Sequence, residues 1–361
     1  MNDQARRSYR VAIATWLEAR LYVAAAFIVT DAILERLEPP PAFTPLSDGL
    51  LAWDGTWYQR IADHGYADAA DPAVRFFPLF PLLGRWIGWF VGGSELALIL
   101  LANVASLIAA LLLYRLAMQE TNDPKVAHRA VRTLALFPPA FVFVLAYSEG
   151  LYLALALGMI LILRSQRWLL AAALGFLAGL TRPVAGFLAL AALVNVVRGR
   201  HTREPAAILS VLSAPLGTIT FLVWSHFALH DWRAPIDRQE ELRGTGAEPV
   251  TRLVRAAIDG VRGDQGELFH FIAAAIVIGL AVIAIKRLST DLWIYAVPST
   301  LVLVATDNLN SLERYALSVF PLVIAAAIAS RHPAFDRWLP TASAVGLVAV
   351  TTLALNGVYV P

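Results

Sequence analysis

"LALILLANVASLIAALLL", Leu96 to Leu113, runs eighteen residues without a charged side chain. As a helix, a block of that length can cross a hydrocarbon core about 30 Å thick. It shows none of the period-2 alternation that a membrane barrel strand requires. Working outward, similar apolar blocks recur at roughly 14–36, 95–117, 131–147, 150–164, 168–181, 184–197, 205–229, 267–285, 290–306, 315–330 and 338–356. The expectation is an all-α, polytopic membrane protein of about 11 transmembrane helices. The blocks between 131 and 197 are short, so broken, tilted or re-entrant helices are expected there. No internal repeat and no separate soluble domain is visible, so residues 1–361 read as one membrane domain.

Composition agrees with this reading. The chain is 58% hydrophobic and 16% charged, where a soluble domain is about a quarter charged. It has no cysteine, which excludes a disulfide framework and a thiolate metal site. A net charge of +2 gives no basic field for nucleic acid. Only Lys125 and Lys286 are lysines, and with the abundant alanine this points to a GC-rich bacterial genome. The polar, basic segment Met1 to Arg10 precedes an apolar block without a small-residue cleavage site, so the block reads as an anchor.

The basic residues orient the spans. From a cytoplasmic N-terminus carrying Arg6, Arg7 and Arg10, five further basic clusters fall inside. They are Arg115 to Arg132, Arg164 with Arg167, Arg198 to Arg203, Lys286 with Arg287, and Arg331 with Arg337, as the positive-inside rule expects. A multi-pass plasma-membrane protein results, with 37–94, 230–266 and 307–314 outside. Tight external turns stand at Ser148-Glu149 and at Thr181-Arg182-Pro183.

The first external loop is unusual. "LAWDGTWYQRIADHGY", Leu51 to Tyr66, combines aromatics, carboxylates and a histidine. Asp54 stands where a helix would be capped and Gly65 where it would end. Trp53, Trp57 and Ile61 share one side of that helix, which suits the headgroup level. "RFFPLFPLLGRWIGWF", Arg75 to Phe90, reads as a second interfacial or re-entrant helix, broken by Pro78, Pro81 and Arg85. Together they suggest an external platform for a lipid-linked substrate.

Ionisable residues at a membrane edge point to function. Glu149, Arg182, Glu313 and Arg314 all fall on the external side with Asp54. His64, His226 and His230 lie there too, without a zinc spacing.

"WDGTWYQRIADHGY", "FFPLFPLL", "YSEGLY", "TRPVAG" and "ERYALSVFP" occur in this order between about 51 and 321. Together they resemble the PIG-V-type mannosyltransferase family. The resemblance implies a GT-C glycosyltransferase with an extracytoplasmic active site and a polyprenyl-phosphate sugar donor, the sugar being mannose. It places an essential carboxylate in the first external loop, at Asp54. Trp53, Tyr58, His64, Arg75, Glu149, Arg182, Glu313, Arg314 and Tyr315, in or beside the matching blocks, form the expected substrate-binding set. The acceptor is a lipid-linked molecule or a protein.

The expected chemistry is inverting transfer. An acceptor hydroxyl attacks the anomeric carbon, Asp54 takes its proton, and the phosphate leaves. Arg314 and Arg182 suit the phosphate through their planar forks, with His64 as an auxiliary. No cofactor is assigned; a divalent metal held by carboxylates is the alternative to arginine for that charge. The rival reading is a transporter or lipid flippase, whose polar groups would line a passage near midplane. Here they collect on one face.

Overall fold

The computed structural model of the chain describes residues 3–36, 44–68, 71–244, 248–331 and 333–359. Parts of the two long external segments, 37–43, 69–70 and 245–247, lie outside the described residues. Every regular element among those described is a helix, with no strand. Five helices are long and apolar enough to cross a membrane: Tyr9–Leu34, Ser94–Thr121, Pro205–Leu229, Gly266–Arg287 and Arg337–Leu355. The pair Leu312–Ser318 and Phe320–Ala329 makes a sixth if counted as one span bent by 95°. Four shorter apolar helices are Leu79–Val91, Trp168–Gly179, Pro183–Arg198 and Thr290–Val304. The protein is an all-helical, membrane-embedded chain.

Local chemistry sets the helix ends. Ser94–Thr121 stops at Asn122, whose left-handed backbone turns its N–H onto the Met118 carbonyl. The Asp123 side chain then accepts from the Lys125 N–H at 2.8 Å, and Pro124 opens the next helix without wasting a donor. Two expected spans are interrupted. The block 131–147 divides after Leu136, because Pro138 and Pro139 have no N–H to continue the helix and start a 3-10 turn, Pro138–Phe143. The block 315–330 breaks at Val319, just before Pro321, which is tolerated only in the first turn of the restarted helix.

The chain divides into two compact units. The first comprises Met1–Ala69, Leu79–Leu157 and Ala326–Pro361; the second comprises Ala70–Pro78 and Gly158–Ala325. In the first, the N-terminal helix packs on Ser94–Thr121, Pro124–Leu136 and Pro333–Leu355. Its Arg20 holds the irregular stretch after Pro138. The guanidinium donates to Asn103 Oδ1 (2.9 Å), Ser106 Oγ (2.8 Å) and the carbonyls of Trp16 (3.0 Å) and Phe143 (2.9 Å), and stacks 3.9 Å from the Trp16 ring. Asn103 Nδ2 donates to the Val144 carbonyl at 2.9 Å. Buried non-helical backbone must find its partners inside the protein, and these side chains supply them for the carbonyls of Phe143 and Val144.

In the second unit, Trp168–Gly179 crosses Pro205–Leu229 almost backbone to backbone. A Cβ on Gly179 would lie 2.1 Å from the Ala214 carbonyl oxygen, and one on Gly217 would lie 2.2 Å from that of Phe176. Gly175 and Gly179 stand four apart on one helix, Ser213 and Gly217 four apart on the other. Small residues at that spacing let membrane helices approach this closely. At one end of the unit, Arg164 forms a two-pronged pair with Asp291 (3.0 and 3.1 Å) and donates to Ser289 Oγ (2.7 Å). Asn195 Nδ2 reaches Asp291 at 3.3 Å, and Arg198 donates to Thr290 Oγ1 at 2.7 Å. Three segments read as cytoplasmic, near 164, 198 and 287, therefore meet in one network.

Candidate functional site

In the first unit, the tryptophan-aspartate motif docks on the serine-glutamate motif. Trp53 has φ +66, a conformation that a bulky residue adopts only under constraint. Its indole N–H donates to the Ala354 carbonyl at 3.0 Å, and its own carbonyl accepts from Thr56 Oγ1 at 2.8 Å. The aromatic expected to face the headgroups is thus tied to the last helix. The helix Asp54–Asp68 starts immediately after it. The Asp54 N–H points at Tyr147 Oη, 3.4 Å away. Tyr58, buried and edge-on to Phe80 at 4.8 Å, donates to Ser148 Oγ at 2.8 Å. The Ala146 N–H donates to the Leu50 carbonyl at 2.9 Å, and the helix start lies so close that a Cβ on Gly55 would meet Ala146 Cβ at 3.3 Å. Glu149, also buried, opens the helix Glu149–Arg164. Asp54 and Tyr58 thereby meet Tyr147 and Ser148, the two residues before Glu149, while Trp53 turns to Ala354.

His64 is not gathered with them. It is exposed, ten residues along the helix from Asp54, about 15 Å at the helical rise. Gly65, at φ +78, breaks the helix where a terminating glycine was expected. The second loop helix, Leu79–Val91, buries Phe80, Pro81, Gly84 and Gly88 against Ser94–Thr121. Its opposite face exposes Leu82, Trp86, Trp89 and Phe90, the stripe expected of an interfacial helix.

In the second unit, Tyr315 brings two arginines together. The Arg314 guanidinium lies 4.5 Å from its ring centroid and that of Arg182 4.9 Å, although they are far apart in the sequence. Arg314 Nη2 also donates to Tyr315 Oη at 2.6 Å. Glu313 and Arg314 are buried, while Tyr315 and Arg182 keep partial access. The short helix Leu312–Ser318 that carries them follows Ser311, at φ +64. Arg182 is extended ahead of Pro183 at the head of the run that ends at Arg198. Arg182 precedes that run and reaches the Tyr315 ring, whereas Asn195 and Arg198 near its end reach Asp291 and Thr290, so the Tyr315 cluster and the Asp291 network lie toward opposite ends of it. Arg75 closes a separate 3-10 turn, Asp71–Arg75, its guanidinium 4.7 Å from the Phe76 ring centroid.

Among the described residues, no group of three or more His, Asp or Glu side chains is placed to hold a metal ion. Sequence reasoning passed over Tyr147 and Ser148 as contacts of the tryptophan-aspartate motif, and over Arg20. Arg20 carried a usable signal, being an arginine inside the first apolar block. Comparison with known proteins adds no assignment: no family model and no curated protein matches the chain.

Proposed function

We propose that this protein is a membrane glycosyltransferase of the GT-C type. It moves a sugar, mannose by its resemblance to the PIG-V-type family, from a polyprenyl-phosphate donor to a lipid-linked or protein acceptor. The observation that carries the reading is the convergence of Arg182 and Arg314 on Tyr315. Two planar forks beside one ring suit the two oxygens of a phosphodiester or leaving phosphate. They come from two motifs picked out by their likeness to that family, and nothing in their spacing required them to meet. The constrained Trp53 ahead of Asp54 adds support, since strain of about 1–3 kcal/mol is retained mostly at functional positions.

In the proposed step the acceptor oxygen attacks the anomeric carbon, and the bond from that carbon to the phosphate oxygen breaks with its electron pair leaving on the phosphate. The Asp54 carboxylate takes the hydroxyl proton, and configuration at the anomeric carbon inverts. Arg314 and Arg182 meet the charge on the departing phosphate. The span count of about eleven, the cytoplasmic N-terminus and the extracytoplasmic active site belong to the same proposal. The meeting of three basic segments around Asp291, at the end opposite Tyr315, supports that orientation.

The test is transfer of radiolabelled sugar from polyprenyl-phosphate mannose in membranes, compared with Asp54→Asn. Asparagine caps a helix about as well as aspartate, so the variant should insert and fold normally. Loss of a general base lowers the rate about a hundredfold to ten-thousandfold. Near-native transfer by Asp54→Asn would overturn the catalytic assignment. Movement of the lipid across the bilayer without sugar transfer would favour a flippase.

A further inference from the structure

The helix Pro249–Val261, in the second long external segment, is inverted relative to a soluble amphipathic helix. Val250 and Val261 are 68% and 87% exposed, and Val254 and Ile258 are exposed with them. Arg252, by contrast, is buried to 6% exposure. The exposed residues fall at i, i+4, i+8 and i+11, one continuous apolar stripe. Arg255 and Arg262, both exposed, flank that stripe along one edge.

The buried face is fastened to the head of a membrane-crossing helix. Arg252 grips Glu267 with both prongs (2.7 and 3.0 Å) and donates to the Asp307 carbonyl at 2.6 Å. Gly260 is seated on Leu268, where an added Cβ would meet its backbone at 2.9 Å. Arg252 and Gly260 are about 12 Å apart along their helix, yet both engage the same turn of Gln265–Arg287. An antiparallel hairpin would have set Arg252 beside a residue two turns further along, beyond the reach of Glu267. The helix therefore lies across the end of the span. The exposed apolar side of that span begins at Leu268 itself and Phe269, 39% and 52% exposed, at the seat of Gly260.

We infer that Pro249–Val261 is an in-plane membrane anchor seated on an anionic lipid surface. Val250, Val254, Ile258 and Val261 enter the acyl boundary, and Arg255 and Arg262 meet lipid phosphates. A stripe of this kind, continuous with the lipid-facing side of a span and edged with arginine, is what an interfacial helix needs. The anchor does not depend on the enzymatic reading.

The absence of cysteine in the chain makes the test direct. Val254→Cys, Ile258→Cys and Asp259→Cys are each spin-labelled in the full-length protein, in nanodiscs of phosphatidylcholine and phosphatidylglycerol. Collision with oxygen reports lipid; collision with a water-soluble nickel chelate reports solvent. The expected result is an oxygen-to-nickel ratio several-fold higher at 254 and 258 than at 259. Replacing both Arg255 and Arg262 with Gln should move the 254 label toward the water in nanodiscs containing phosphatidylglycerol. Nickel access at 254 equal to that at 259 would overturn the inference. So would shielding of 254 from both reagents, which would mean that a protein or a second copy covers the stripe.

Discussion

Adding one methyl group at the crossing of Trp168–Gly179 and Pro205–Leu229 should be among the costliest small changes in the second unit. A Cβ on Gly179 would stand 2.1 Å from a carbonyl oxygen of the opposite backbone, and one on Gly217 2.2 Å from another. No rotamer can relieve a clash with backbone, so the two helices must separate by about 1 Å. Separation empties the contact along the whole crossing. Overpacking costs about 1–3 kcal/mol, and because the whole seam opens, Gly179→Ala and Gly217→Ala should each fall near the top of that range. The same movement accommodates both methyl groups, so the double variant should cost little more than either single one. Gly186→Ala, with no atom within 4 Å of the new carbon, is the matched control and should be nearly neutral. Unfolding by increasing dodecyl sulfate in mixed micelles, followed by tryptophan fluorescence, measures all four. The close-crossing argument fails if Gly217→Ala matches Gly186→Ala, or if the two glycine effects simply add.

Other expectations follow from the polar clusters and the topology. Arg314→Lys keeps the charge but loses the fork, so sugar transfer should fall substantially at normal expression; normal turnover in Arg314→Ala would rule out a phosphate role. Asp291→Ala strands Arg164 and should destabilise the protein by about 3 kcal/mol, while Arg164→Met combined with Asp291→Leu should recover most of the loss. Equal stability of the single and double variants in the same micelle titration would show that the pair is not coupled. Cysteines at exposed Ser47 and Thr202 should react with impermeant maleimide from outside only and from inside only, respectively; the reverse pattern would invert the topology.

The long spans were readable because their apolar runs need no partner to be recognised. The block expected at 205–229 is the helix Pro205–Leu229 to the residue, and that at 150–164 begins one residue early. The interrupted blocks carried their prolines in plain view, but hydropathy averages over Pro138, Pro139 and Pro321 and cannot register a missing N–H. Arg182 and Arg314 were expected to serve one phosphate, but the Tyr315 ring between them was not anticipated as their meeting point. The ring that brings them together joins two segments far apart in the sequence, and no local pattern records that contact. The contacts of Tyr147 and Ser148 were hidden for the same reason. Their partners lie about 90 residues away, and only a non-helical stretch held by Arg20 and Asn103 brings them to Asp54 and Tyr58. His64, expected as an auxiliary to the arginines, is exposed and stands about 15 Å along the helix from Asp54, a separation that the shared motif does not reveal.

The pairing of Arg164 with Asp291 also has a consequence for how the chain is made. The two residues are 127 positions apart, so the arginine leaves the ribosome long before its carboxylate exists. At about 5–20 residues per second, that interval is roughly 6 to 25 seconds. During it, the helices around Arg164 must already have been handed to the bilayer. A cation in the middle of a span could not wait that long in hydrocarbon, but Arg164 closes the last turn of its helix and can remain hydrated at the water-facing end. The lock is therefore assembled late, on helices that are already inserted. Truncated nascent chains ending before 291 should carry the same helices across the membrane while leaving that end of the unit open to protease.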